Sequence, residues 1–244
     1  MTCIKKKIIR KLQSQYFKGK LFMHGILGLP AQTGREMQIF KAVFDNFSPN
    51  KKIKIFEWGS GFSTIYYASY LRKKSIEFEW YSVDNNKAWH EKVKSKVENI
   101  GLQQQVQLYL KEFPSFWEKP GWGPIPPVCG AFAPSTENER DYINLPRELN
   151  IKFDIVIVDA RFRRHCIQTA KTVLLPEGIV VMHDAEKAHY HVGLEAFQYS
   201  RFFHGGSWFP FQEISNKVWI GSVGNSQIFE SLKKSNVQFV GEEI

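Results

Sequence analysis

Apolar and polar positions along the chain follow two periods that trade places repeatedly. Met37 to Phe47 repeats at helical spacing, and Lys52 to Glu57 (K-I-K-I-F-E) alternates as a strand does. Ser63 to Arg72 reads as a helix, Glu77 to Val83 as a strand, Lys87 to Ile100 as a helix stopped by Gly101, and Gln105 to Leu110 as a strand. Further on, Phe153 to Val158 (F-D-I-V-I-V) and Gly178 to Met182 are near-continuous apolar runs, with a helix predicted between them over Arg163 to Leu174, ending near Pro176. A helix over Ala185 to Phe197 and short strands near Trp208 to Gln212 and Lys217 to Ile220 complete the pattern. Strand and helix alternating in this way predict βαβ units around a mostly parallel sheet, and the apolar runs predict strands covered on both faces. The expectation is an α/β fold: one doubly wound, Rossmann-like sheet of seven strands.

Two segments break the rhythm. Residues 114–150 hold seven of the chain's 11 prolines, with Trp117 and Trp122, and are far longer than the 2–6 residues of an ordinary βα connection. They are expected to form an insertion on the substrate side. Residues 1–35 carry eight Lys and Arg and no acid before Glu36. Within them Ile4, Ile8, Ile9, Leu12 and Tyr16 fall at helical spacing, which predicts a basic amphipathic helix to about Phe17, followed by a loop from Gly19 to Gly34. That arm is either packed on the body with its lysines solvated or drawn to an anionic membrane surface through residues 1–20.

The 244 residues suit one domain, 36–244, with the arm appended. The net charge of +9 belongs to the arm: beyond residue 35 stand 25 basic and 24 acidic side chains, so the body lacks the basic face of a nucleic-acid binder. No run reaches the 18 or so apolar residues of a membrane span. Cys3, Cys129 and Cys166 are odd in number and scattered, and Ile8-Ile9 runs straight into Arg10-Lys11, with no apolar core for a secretory signal. A reducing, cytoplasmic setting is the expectation.

The strongest chemical signal is I-F-E-W-G-S-G-F-S-T, Ile55 to Thr64, where a strand runs through a turn containing Gly59, Ser60 and Gly61 into a helix. Glycines let a ligand approach the backbone, and the helix start offers free N–H groups. The next strand ends in Asp84, followed by Asn85, where an acid can grip a ribose diol. A nucleoside ligand follows. Thr64 stands where a dinucleotide site has its third glycine, and Glu57 suits a cationic ligand better than a pyrophosphate, which disfavours a nicotinamide-dependent oxidoreductase.

Together E-W-G-S-G-x-S-T, V-D at Val83-Asp84 and V-D-A-R-F-R-x-x-C from Val158 to Cys166 resemble the class I S-adenosylmethionine-dependent methyltransferases, in particular a group of small bacterial members. Those members carry V-D-G where this chain has Ala160. The resemblance runs from about Gly34 to Gly221, without the insertion. It implies Glu57, Gly59, Ser60 and Gly61 around the methionine part of S-adenosyl-L-methionine, Ser63 and Thr64 capping the helix and reaching its carboxylate, Asp84 with Asn85 at the ribose, and Asp159 facing the sulfonium and the substrate. Lys111 to Phe113 lie at the edge expected for the adenine.

Substrate chemistry is then expected where Asp159-Ala160-Arg161 and His183-Asp184 end neighbouring strands. Asp159 and Asp184 could together hold a divalent cation such as Mg²⁺. Alternatively His183 is a general base, or it is structural and Asp184 caps the next helix. Arg161, Arg163 and Arg164 at a helix start call for an anionic partner, either an acidic substrate on Arg161 or a structural salt bridge. The functional expectation is O-methylation of a small molecule or a sugar or glycan hydroxyl by direct displacement. The rival is a non-catalytic nucleoside-binding or partner-docking module. Oligomeric state is open.

Overall fold

The computed structural model describes residues 15–16, 18–20, 22–47, 50–113, 133–207, 216–235 and 237–240. In chain order the elements are α1 (Gly34–Phe44), β1 (Ile53–Trp58), α2 (Phe62–Lys73), β2 (Phe78–Asp84), α3 (Lys87–Asn99), β3 (Val106–Leu110), α4 (Glu137–Glu148), β4 (Phe153–Val158), α5 (Arg163–Val173), β5 (Leu174–Met182), β6 (Tyr199–Gly206), β7 (Asn216–Ser222), α6 (Gln227–Lys234) and β8 (Phe239–Val240). The sheet runs β3-β2-β1-β4-β5-β7-β6-β8. β3 through β5 are parallel to one another, and β7 lies antiparallel to both β5 and β6. Eight strands stand where seven were expected, because β8 adds two residues to the edge of β6.

Strand residues alternate between two cores, as period two requires. Ile53, Ile55, Ile155, Ile157, Ile179 and Val181 pack with α1 residues Ile39, Phe40 and Phe44. Phe56, Trp58, Val156, Val158, Val180 and Met182 pack on the opposite face with residues of α4 and α5. The expected helices and strands from Met37 to Leu110 and from Phe153 to Met182 are present, with ends displaced by a few residues.

Three expectations are corrected. Residues 18–20 and 22–27 are helical where a loop was expected. The segment 185–197 forms no α-helix but two short 3-10 turns, Ala188–Tyr190 and Leu194–Ala196. Gly193, at φ +95, breaks the helical path between them, and His191 turns its ring back onto the Ala185 carbonyl (2.8 Å). Asp184 therefore has no helix to cap. The strand in this region is Tyr199–Gly206, and the expected strand at 208–212 lies outside the described residues, as do the helix at 4–14 and the first part of the insertion, 114–132.

The insertion is also less loop-like than its prolines suggest. Thr136 and Glu139 form a reciprocal capping box that starts α4, and Tyr142, Ile143, Leu145 and Pro146 are its buried face. Pro146 has no N–H for the Tyr142 carbonyl four residues back. That carbonyl accepts instead from the indole Nε1–H of Trp58 at 2.9 Å, so the proline's missing bond ties α4 to the end of β1.

Replacing Trp58 by Phe should leave this buried carbonyl unpaired and cost about 1–3 kcal/mol in urea unfolding. Adding Pro146→Ala returns an N–H to the helix and should recover part of that loss. Equal losses in the single and double variants would show that the bond does not carry the effect.

Candidate functional site

The C-terminal ends of β1, β2, β4 and β5 meet along one edge. The Gly59 N–H donates to the Val83 carbonyl (2.8 Å), the Asp159 N–H to Trp58 (3.1 Å) and the His183 N–H to Val158 (3.2 Å), so the ladder continues one residue past each strand. The sheet order reverses between β1 and β4, and that is where an open α/β sheet leaves a crevice.

Gly59 is required on two counts. Its φ is +96, and a Cβ there would lie 2.2 Å from the Asp159 carbonyl oxygen. Gly61 is required on neither. Its φ of −170 suits any residue, and a Cβ would meet nothing in the chain closer than Ser63 Oγ at 3.8 Å. Ser60 is buried, its hydroxyl 2.8 Å from that of Ser82.

Glu57 lies fully buried beneath this turn and accepts from Ser63 Oγ (2.7 Å), Thr64 Oγ1 (2.5 Å), Trp80 Nε1 (3.0 Å) and Ser82 Oγ (3.0 Å). The Gly61 N–H in turn donates to Thr64 Oγ1 (2.9 Å). Ser63 and Thr64 thus spend their hydroxyls on Glu57, and the acid braces the turn. Burial pushes the Glu57 carboxyl up to about 7, although all four donors pull it down.

Asp84 ends β2 and stays 9% exposed, receiving the Asn86 N–H (2.8 Å). Burial raises it to about 6, against backbone donors at Asn85 and Asn86 and the positive charge of Arg161. Asn85 donates to the Phe113 carbonyl (3.0 Å) and joins Glu112, Phe113 and Asn138 in lining an open depression beside the strand end.

On the other side of the crevice lies a compact charge cluster. His183 is 5% exposed, with Nδ1 3.1 Å from Asp159 and Nε2 3.1 Å from Glu36 on α1. Burial alone would lower its pKa, but Asp159, Asp184 and Glu36 outweigh burial and hold it well above the usual histidine range. Both nitrogens donate, so His183 has no lone pair open to take a proton. Arg163 Nη2 sits 2.7 Å from Asp159 and 3.2 Å from Asp184, and its Nη1 donates to Tyr190 Oη (3.1 Å). Lys187 adds a further bond to Asp184 (3.1 Å). Burial raises Asp159, but His183 and Arg163 take it well below the carboxylate range.

Asp159, His183 and Asp184 have ligand atoms within 4.8 Å of one another, the arrangement a metal ion would need. The guanidinium of Arg163 already bridges the two aspartates, and the imidazole is spent between Asp159 and Glu36. As built, the donor set does not fit a divalent ion. The sequence pointed to Arg161, which lies exposed toward Asp84. The salt bridge that the sequence offered as an alternative is made by Arg163, at the start of α5, and the residue the sequence missed is Glu36, marked only by T-x-x-E at the start of α1.

No protein-family model matches the chain, and no curated protein sequence does. Solved structures do. A Klebsiella pneumoniae protein taken to be an O-methyltransferase superposes with a TM-score of 0.55 at 13% identity, over 86% of this chain and 90% of its own. The O-methyltransferase from Bacillus cereus, in complex with SAH, gives 0.53 at 10% identity over 84% and 89%. The O-methyltransferase TomG from Streptomyces achromogenes, involved in tomaymycin synthesis and in complex with SAM, gives 0.53 at 12% over 86% and 90%. The chain has the fold of these proteins.

Two outcomes are expected. Titration of the wild-type chain with Mn²⁺, followed by the spin signal of the free ion, should show no site tighter than the millimolar range, whereas Arg163→Ala should acquire one. Glu57 has a folded pKa above its unfolded value, so its protonated form favours folding. Stability from this group is complete below about 4.5 and falls as pH rises to about 7. Urea unfolding across that window should show a loss of roughly 3 kcal/mol that Glu57→Gln flattens.

Proposed function

We propose that the chain is an S-adenosylmethionine-dependent methyltransferase acting on a hydroxyl oxygen of a small molecule or sugar. The observation that carries this reading is the pairing of the Gly59–Gly61 turn with Asp84 at one end of the crevice and Asp159 at the other, on a fold shared with O-methyltransferases holding SAM or SAH.

The residues fit such a cofactor. Gly61 has no conformational or packing need for glycine, which leaves a backbone position against which a ligand can lie. Asp84 supplies a carboxyl at a strand end for a diol, and the depression along Asn85, Phe113 and Asn138 gives a base a place beside it. When bound, the cofactor supplies an electrophilic methyl group on a sulfonium. Asp159, kept ionised by Arg163 and His183, holds negative charge on that side of the crevice and accepts a hydrogen bond from the acceptor hydroxyl, aiming an oxygen lone pair. His183 positions Asp159. Rate acceleration comes chiefly from in-line placement of the two reactants.

The dinucleotide alternative loses ground because the third-glycine position is filled by Thr64, whose hydroxyl is bonded to Glu57 and to the Gly61 N–H. Calorimetric titration with S-adenosylmethionine, S-adenosylhomocysteine and NADH tests the reading. Micromolar binding of the first two and none of NADH is expected. Asp84→Ala should weaken the adenosyl ligands by about 10- to 100-fold through loss of a charged hydrogen-bond acceptor. Equal affinity in the variant would remove Asp84 from the site, and binding without turnover on any hydroxylated acceptor would favour a non-catalytic module.

A further inference from the structure

Among the described residues six large apolar side chains are exposed, and five of them lie between positions 16 and 27: Tyr16 (46%), Phe22 (69%), Met23 (51%), Ile26 (62%) and Leu27 (64%). Such a concentration on one short stretch is unlike the scattered exposed apolar residues of an ordinary surface. Residues 15–16, 18–20 and 22–27 are helical. At about 100° per residue, Phe22, Met23, Ile26 and Leu27 fall within an arc of about 140° on the helical piece 22–27, with Tyr16, Lys18 and Lys20 shortly before it in the chain. Lys20 Nζ stands 5.0 Å from the centroid of the Tyr16 ring, a cation beside the apolar face. The other side of the helix meets the body: a Cβ on Gly25 would be 3.9 Å from the Phe62 ring, and the His24 ring bonds to the Pro30 carbonyl (2.7 Å). The apolar arc therefore points outward.

We infer that the exposed apolar side chains of Phe22, Met23, Ile26 and Leu27, with Tyr16, Lys18 and Lys20, form a docking surface for an anionic lipid bilayer. An apolar arc with lysines beside it is the pattern of a helix lying in a membrane interface, its rings and branched chains below the headgroups and its lysines level with them. Charge selects an anionic bilayer over a second protein. Residues 1–35 hold eight basic side chains and no acid, while the rest of the chain is nearly neutral. Docking would place Phe62, the first residue of α2, and with it the glycine turn, next to the bilayer. The surface stands on its own observations and survives if the methyl-transfer reading fails.

The test is sedimentation of the full chain with vesicles of phosphatidylcholine alone and of phosphatidylcholine mixed with phosphatidylglycerol, at low and high salt. Binding to the anionic vesicles only, weakened by salt, is expected. Phe22→Ser with Ile26→Ser should weaken partitioning by about 10-fold or more, because two large side chains no longer enter the interface. Lys18→Gln with Lys20→Gln should lower binding and its salt dependence. Phe22, Ile26 and Lys18 are exposed and Lys20 is half-buried, and none of them lines the crevice, so the S-adenosylmethionine affinity and unfolding midpoint of both double variants should match wild type. Equal binding to neutral and anionic vesicles, unaltered binding by the serine variant, or no binding at all would overturn the inference. So would a wild-type dimer that ignores vesicles and becomes monomeric in the serine variant, which would assign the patch to self-association.

Discussion

The imidazole of His183, held between Asp159 and Glu36, joins three parts of the molecule at once: the end of β4, the end of β5 and the first turn of α1. With Arg163 and Asp184 it completes an alternating array of anions and cations largely shielded from solvent, which Lys187 extends to the surface. Each member is affordable inside the protein only because its neighbours are there; removing one leaves a buried charge uncompensated, at several kcal/mol. The crevice edge is thereby rigid. Asp159 is kept anionic, and the same contacts fasten the N-terminal helix over the sheet. The charge on Asp159 and the anchoring of α1 share one network on this side, so a His183 variant speaks to both at once.

The opposite side of the crevice is organised differently. There a single acid, Glu57, is sealed with four neutral donors and no cation. Its burial favours the protonated form, which is the cheaper way to keep a carboxyl under a tight turn. Two acids at the ends of adjacent strands therefore lie at opposite extremes of proton affinity, separated only by whether a cation stands beside them.

The parallel core was legible in the sequence because strands covered on both faces must be apolar throughout, and F-D-I-V-I-V admits few other readings. The glycine turn and Asp84 were legible because local backbone needs leave local marks. The charge cluster was legible only in part: Asp159, His183 and Asp184 were expected at neighbouring strand ends, but their partner on α1 was not. Glu36 is 147 residues from His183, and nothing in T-G-R-E announces a buried ionic partner rather than a cap. Of the arginines in the cluster, Arg161 was singled out because it lies nearest Asp159 in sequence, but the left-handed Phe162 turns the chain into α5 so that Arg163 meets the carboxylate while Arg161 stays exposed. Residues 185–197 misled through composition, being good helix formers whose path is redirected by one left-handed glycine. The prolines of the insertion hid α4, since Pro146 falls late enough to be tolerated there.

That proline also has a mechanical consequence. Trp58 is the residue before Gly59, so the indole that answers the Tyr142 carbonyl is a strut between the insertion and the turn. A displacement of α4 must either drag the strut, and the turn with it, or strand a carbonyl away from water. A shift of α4 is therefore transmitted to the backbone at Gly59, giving the two halves of the crevice a common lever.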